Sequence, residues 1–161
     1  PQLKLLLAEE QTRALIRQLE EGELDAVLAT GPVTEAELTE LPLFREELAL
    51  AVPRDHALAQ VEEVRPADIP STELILLAEG HCLRDQSLAL CPQRLREGDQ
   101  ALQAASLETL RQMIAAGSGV SFIPQLAVQV GALLDDMVAY RRIAGGEYAR
   151  DVALFHRPSF G

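Results

Sequence analysis

The chain reads as an α/β protein, and three observations carry that reading. Short runs rich in Leu, Val and Ala alternate with stretches of helical periodicity. Gly and Pro stand at the joints between them. Apolar residues make up 48% of the 161 positions, enough for one good core or two small lobes sharing a sheet edge.

The elements follow in order. Leu3 to Ala8 reads as a buried strand, and Glu9-Glu10-Gln11-Thr12 opens a helix with acids in its first turn. Leu15, Ile16 and Leu19 give that helix its apolar face and Gly22 ends it. Leu24 to Ala29 is a second buried strand, broken by Gly31-Pro32; this β-α-β order predicts a parallel sheet. Leu41-Pro42-Leu43-Phe44 follows an acidic loop. Leu48 to Val52 is a strand ended by Pro53-Arg54-Asp55-His56. Pro66 to Pro70 is a loop or short turn, and Leu74 to Ala78 a strand. Gln93 to Gln100 reads as a surface turn and Ala101 to Ala104 as a short strand. Ser106 caps a helix that carries Glu108 in its first turn, runs to Ala116 and stops at Gly117. Gly119 to Ile123 is a strand, with Pro124 where the next helix can begin. Val138 to Ile143 is an edge strand, Gly145-Gly146 a turn or hinge, and Val152 to His156 a last short strand.

Composition excludes several classes. A net charge of −11 repels phosphate backbones, and with no Trp there is little to stack on bases, so the chain itself does not read as a nucleic-acid binder. No stretch approaches the ~20 apolar residues of a membrane span. Pro1-Gln2-Leu3-Lys4 does not begin a signal peptide, so a reducing cytoplasm is the expected compartment. Two cysteines and three scattered histidines supply no metal-ligand cluster, and no cofactor is expected.

Both cysteines lie in His81-Cys82-Leu83-Arg84-Asp85-Gln86-Ser87-Leu88-Ala89-Leu90-Cys91, after Gly80 and before Pro92. As one helix, this stretch would separate the two Cα atoms by ~13.5 Å and point the side chains to opposite faces. A disulfide needs Cα atoms within about 7 Å. A helix here and a Cys82–Cys91 bond therefore exclude each other, which makes the segment a two-state candidate.

Several of these features together resemble the regulatory domain of LysR-type transcription factors. They are Pro42-Leu43-Phe44, Leu48 to Val52 with Asp55-His56, and Ser106 to Arg111 followed by Ala115-Ala116-Gly117-Ser118-Gly119. Within that family, the His81–Cys91 stretch, with Glu10-Gln11-Thr12 and Leu24-Asp25, looks like the redox element of the peroxide-sensing members. The resemblance runs from Pro1 to about Pro158. It implies two Rossmann-like lobes joined by two crossover strands, as in periplasmic binding proteins. Lobe I would use 1–45 plus 147–161, and lobe II 46–146 with the cysteine segment 81–91. An upstream helix-turn-helix domain and linker helix, the first strand and helix of lobe I and a closing C-terminal helix are expected elsewhere, so the chain reads as a trimmed fragment.

The resemblance also implies roles. Cys82 reacts with hydrogen peroxide to a sulfenic acid, and Cys91 resolves it as a disulfide. His81 and Arg84 are the local positive groups for a thiolate. Thr12, His81 and Asp85 help position the peroxide; read without the resemblance, Thr12 is a helix cap, Asp85 a surface acid paired with Arg84, and His81 a solvated side chain. Ser106 borders the inter-lobe cleft, where its helix could bind an anion, or is a plain cap. His56 and His156 read as loop or strand-end residues. Closing a ten-residue loop constrains the chain by roughly 3 kcal/mol, comparable to local helix packing around Leu83, Leu88 and Leu90, so oxidation can flip the segment.

The expected function is thus a peroxide sensor that switches transcription and is not an enzyme. Its expected partners are hydrogen peroxide, further copies in a dimer or tetramer, RNA polymerase, and DNA only through the helix-turn-helix domain, with no membrane. One alternative is a LysR-type domain for a small anionic effector, with incidental cysteines. A thiol peroxidase with turnover is the other, and no CxxC motif supports it.

Overall fold

The computed structural model describes residues 4–33, 37–93, 102–128, 136–146 and 148–158. The architecture is mixed α/β, as expected, and a single long strand organises it. Helix α1 (Thr12–Glu21) leads to β1 (Ala26–Thr30) and then to β2 (Thr39–Pro53). The short β3 (Glu63–Val64) and β4 (Leu76–Leu77) precede α2 (Cys82–Leu90). Then come β5 (Gln103–Ala104), α3 (Leu107–Ala115), β6 (Ser121–Pro124) and α4 (Gln125–Val128). The chain closes with β7 (Val138–Ile143) and β8 (Ala149–His156).

Strand β2 changes neighbours along its length. Thr39 to Glu47 pairs antiparallel with β8, with an irregularity between Pro42 and Phe44, where proline has no N–H to give the ladder. Leu48 to Ala51 then pairs with β6, and Leu50 to Pro53 with β7. The order is β1-β8-β2-β7-β3, with β6 also on β2.

Two regions of core hang on this frame. Ile16 and Leu19 of α1 pack on Val27, Ala29, Ala153 and Phe155. The helix stops at Gly22, whose φ of +82° closes the turn as only glycine does cheaply. At the other end of β2, successive residues feed opposite sides of the sheet. Leu50, Val52, Leu74, Leu76 and Phe122 fill one cluster, while Ala51, Ile75, Leu77 and Ile123 join Leu83, Leu110 and Ile114 in the other. That is why these strands read as unbroken apolar runs rather than alternating ones.

Four expectations are corrected. Within Leu3–Ala8, residues 4–8 form no strand, and Leu5, Leu6 and Leu7 are 70%, 80% and 87% exposed. β1 instead pairs antiparallel with β8, so no parallel β-α-β unit forms there. Apolarity alone does not make a strand; its backbone groups need a neighbour, and no described strand supplies one. The acids Glu9 and Glu10 precede α1 instead of occupying its first turn. Val138–Ile143 is not an edge strand, because it lies between β2 and β3. Parallel pairing survives only in β3–β7, β4–β5 and the bridge Leu74–Val120 among the described residues. Of the turn expected at Gln93–Gln100 and the strand at Ala101–Ala104, residues 94–101 lie outside the described residues. No described helix is long and apolar enough to cross a membrane.

Candidate functional site

The site forms where the start of α1 meets the turn before α2. Gln11 is the extended residue ahead of α1 and does not cap it with its side chain. Its amide Nε2 instead donates to the carbonyl of Glu79 at 3.1 Å, 68 positions away. Gly80 follows with φ +91°, and a Cβ there would overlap the Gln11 carboxamide. The left-handed backbone calls for glycine here, while the close approach involves only the end of the exposed Gln11 side chain.

His81 then takes an extended conformation, and Cys82 is the first residue of α2. No side chain caps this N-terminus, so its free N–H groups and the helix dipole favour negative charge beside Cys82. Leu83 and Ser87 are the buried residues of α2, and Ser87 Oγ donates back to Leu83 O at 2.7 Å. Arg84 Nη1 donates to Leu77 O at 3.0 Å, tying the helix to β4. Arg84 thus serves the backbone, and no ion pair joins it to the exposed Asp85 among the described residues.

Thr12, Cys82 and Asp85 line one cavity of ≈ 670 Å³, together with Thr30 and Gln86. His81 is half-buried and is not among the lining residues. Gln86 lies four residues after Cys82, on the same helical face, a spacing visible in the sequence. Gln11 and Thr30 carried no such signal, because the fold alone brings them in.

Both cysteines are free thiols. Cys82 is half-buried, while Cys91, just past the end of α2, is fully buried. Nine helical steps hold them ~13.5 Å apart, outside disulfide range. The Cys91 thiol donates to Pro66 O at 3.6 Å, and burial pushes it up to about 11. Ser106 is exposed and caps α3 by accepting from Thr109 N at 3.1 Å. It does not line the Cys82 cavity. His56 caps a short turn and donates Nε2–H to Glu73 at 2.9 Å, while its Nδ1 accepts from Leu58 N. His156 lies at the end of β8. No group of three or more possible metal ligands occurs among the described residues.

The family model for the LysR substrate binding domain matches residues 1–160. The chain belongs to that family. It is 43% identical over 159 residues to a hydrogen peroxide-inducible genes activator of Dickeya chrysanthemi, covering 98% of this chain and 52% of that protein. It is 40% identical over 158 residues to the DNA-binding transcriptional dual regulator OxyR of Escherichia coli strain K12, with the same coverage. The reduced OxyR regulatory domain from Pseudomonas aeruginosa superposes with a TM-score of 0.86 at 35% identity, covering 95% of this chain and 72% of that one. The fold is therefore the two-lobed, periplasmic-binding-protein-like LysR domain. The chain spans about half the length of the curated relatives it matches.

Proposed function

We propose that this chain is the peroxide-sensing regulatory part of a LysR-type transcription factor. One observation carries the reading: Cys82 opens α2 in a cavity shared with Thr12 and Asp85, while Cys91 is sealed at the far end of the same helix. The Cys82 thiolate attacks one peroxide oxygen, the O–O bond breaks, and a proton on the departing oxygen gives Cys82 sulfenic acid and water. The Cys91 thiol then displaces water from the sulfenic acid and forms the disulfide. Thr12 and Asp85 position the peroxide, and His81 assists from the turn before the helix. The second step requires α2 to give up its helical form.

The division of the core supports lobes at 1–45 plus 147–161 and 46–146, since one apolar cluster lies within the first set and two within the second. The rearranged segment would re-pack a surface between copies in a dimer or tetramer and re-space DNA-binding domains carried on another part of the protein. The protein would then act on RNA polymerase in the cytoplasm as a regulator of antioxidant genes, without turnover of its own. The similarity to peroxide-inducible activators supports this reading.

Thiols counted before and after one equivalent of hydrogen peroxide test it. Two thiols per chain should disappear, and Cys82→Ser should lose none at a comparable rate. If both thiols survive, the sensor reading fails. The cavity also has the size of a small-molecule site, so a small anionic effector with incidental cysteines is the second reading. Surviving thiols together with a thermal shift by a small dicarboxylate would favour it.

A further inference from the structure

The far end of α2 is clamped onto a turn earlier in the chain. Three donors converge on the carbonyl oxygen of Pro66: the amide of Ile69 at 3.3 Å, Gln93 Nε2 at 3.5 Å and the Cys91 thiol at 3.6 Å. The first belongs to the turn itself, Pro66–Asp68, which the Arg65–Asp68 ion pair braces at 2.8 Å. The other two come from 25 and 27 positions further along. Pro92 stands between them, and its ring fixes one backbone angle, so 91–93 tends to move as one piece. The rest of this end is thinly held. Ala89 is exposed and Leu88 and Leu90 are half-buried, while the first two turns bury Leu83 and Ser87 and carry the Arg84 tie to Leu77. Cys91 also belongs to the apolar cluster of Leu50, Val52 and Phe122, which a substitution at Gln93 leaves in place.

We propose that Gln93 is a positioning residue for the second redox step: its carboxamide, bonded to Pro66 O, helps to hold Cys91 away from Cys82 and so sets how long the sulfenic acid persists before the disulfide closes. This inference rests on the peroxide-sensing reading above. In that step the Cys91 sulfur bonds to the Cys82 sulfur, the Cys82 S–O bond breaks, and the thiol proton leaves with the hydroxyl as water. The Cys91 sulfur is oxidised and the sulfenic sulfur is reduced. Cys91 cannot take this step from its place on the Pro66 oxygen, since the standing helix keeps the two sulfurs out of bonding range. Release of 91–93 breaks two bonds to that oxygen, and the Ile69 amide remains to satisfy it. One of the two is Gln93's own, and a hydrogen bond of ordinary net strength changes a rate by about two- to tenfold.

The test follows the reduced protein after addition of hydrogen peroxide, by rapid quenching and mass spectrometry, in wild type, Gln93→Ala and Gln93→Glu. Sulfenic acid at Cys82 should form at the same peroxide-dependent rate in all three, because Gln93 does not line the Cys82 cavity. Disulfide closure, whose rate does not depend on peroxide concentration, should be about two- to tenfold faster in Gln93→Ala. Gln93→Glu keeps the length of the side chain, but its ionised carboxylate has no proton to donate, so closure should accelerate there too. Closure that is unchanged or slower in either variant overturns the proposal. So does a matching acceleration of the first step, which would mark a general loosening of α2. A wild type whose sulfenic acid never gives a disulfide would instead sink the sensor reading itself.

Discussion

The thiol of Cys91 and the carbonyl oxygen of Pro66 lie 3.6 Å apart, and that contact pins the far end of α2. The same oxygen also accepts from Gln93 Nε2 at 3.5 Å and from Ile69 N at 3.3 Å. The Cys91 thiol is thus held neutral and out of reach of Cys82 while the helix stands. Oxidation at Cys82 has to be followed by release of this end before the two sulfurs can meet.

Stability should carry the signature of that buried thiol at high pH. Burial raises the Cys91 thiol from its ordinary 9.0 to about 11, so the folded state holds its proton where the unfolded state loses it. The contribution is present below the unfolded value and is lost as pH climbs through the folded one. Melting temperatures of the reduced protein between pH 8 and 11 should therefore fall more steeply for wild type than for Cys91→Ala. Equal slopes would remove the argument.

Leu83 is the large apolar side chain that α2 buries. Leu83→Ala should destabilise the reduced protein by about 2–5 kcal/mol. If that packing is given up on oxidation, each ~1.4 kcal/mol of it moves the dithiol–disulfide midpoint about 30 mV in the direction that favours the disulfide. Redox titration against dithiothreitol reads the shift. A midpoint that does not move would mean that Leu83 stays packed in both forms.

Glu46 and Arg150 face each other in register across β2 and β8. Glu46 is 5% exposed, its carboxylate lies 2.7 Å from the Arg150 guanidinium, and it also accepts from Leu126 N at 3.1 Å. Arg150→Ala leaves this charge buried without its counter-ion and should cost about 3–5 kcal/mol in urea unfolding. The double variant Glu46→Gln, Arg150→Met should lose clearly less. A double variant as unstable as the single one would show that packing, not charge, sets the loss.

Ser106 offers a smaller effect with a clear origin. Its hydroxyl accepts from Thr109 N and so satisfies one free donor of α3. Ser106→Ala should lower unfolding free energy by about 1 kcal/mol, and Ser106→Asp should restore most of it. An alanine variant as stable as wild type would contradict the cap.

Much of the site was legible because its code is local. The Ser106 cap, the stop at Gly117 and the helical spacing of Cys82 and Cys91 depend on neighbouring residues only. Gln86 was legible in principle, since four residues along a helix share a face. Gln11 was not: nothing near it in sequence says that its amide will reach Glu79. Ser106 was read either as bordering a ligand cleft or as a plain cap, and its oxygen does accept from Thr109 N.

The sequence by itself determined that helix and disulfide cannot coexist over Cys82–Cys91, because helical rise and sulfur reach are fixed quantities. It also determined the α/β class, through the periods of its apolar residues. Only the tertiary structure decided that residues 4–8 lie exposed, that β1 runs antiparallel to β8, and that Thr12 and Cys82 share a cavity. Those outcomes turn on which distant backbone edges and faces find partners. Partner choice is a contest among remote segments, won by whichever pairing buries the most apolar surface with its hydrogen bonds met.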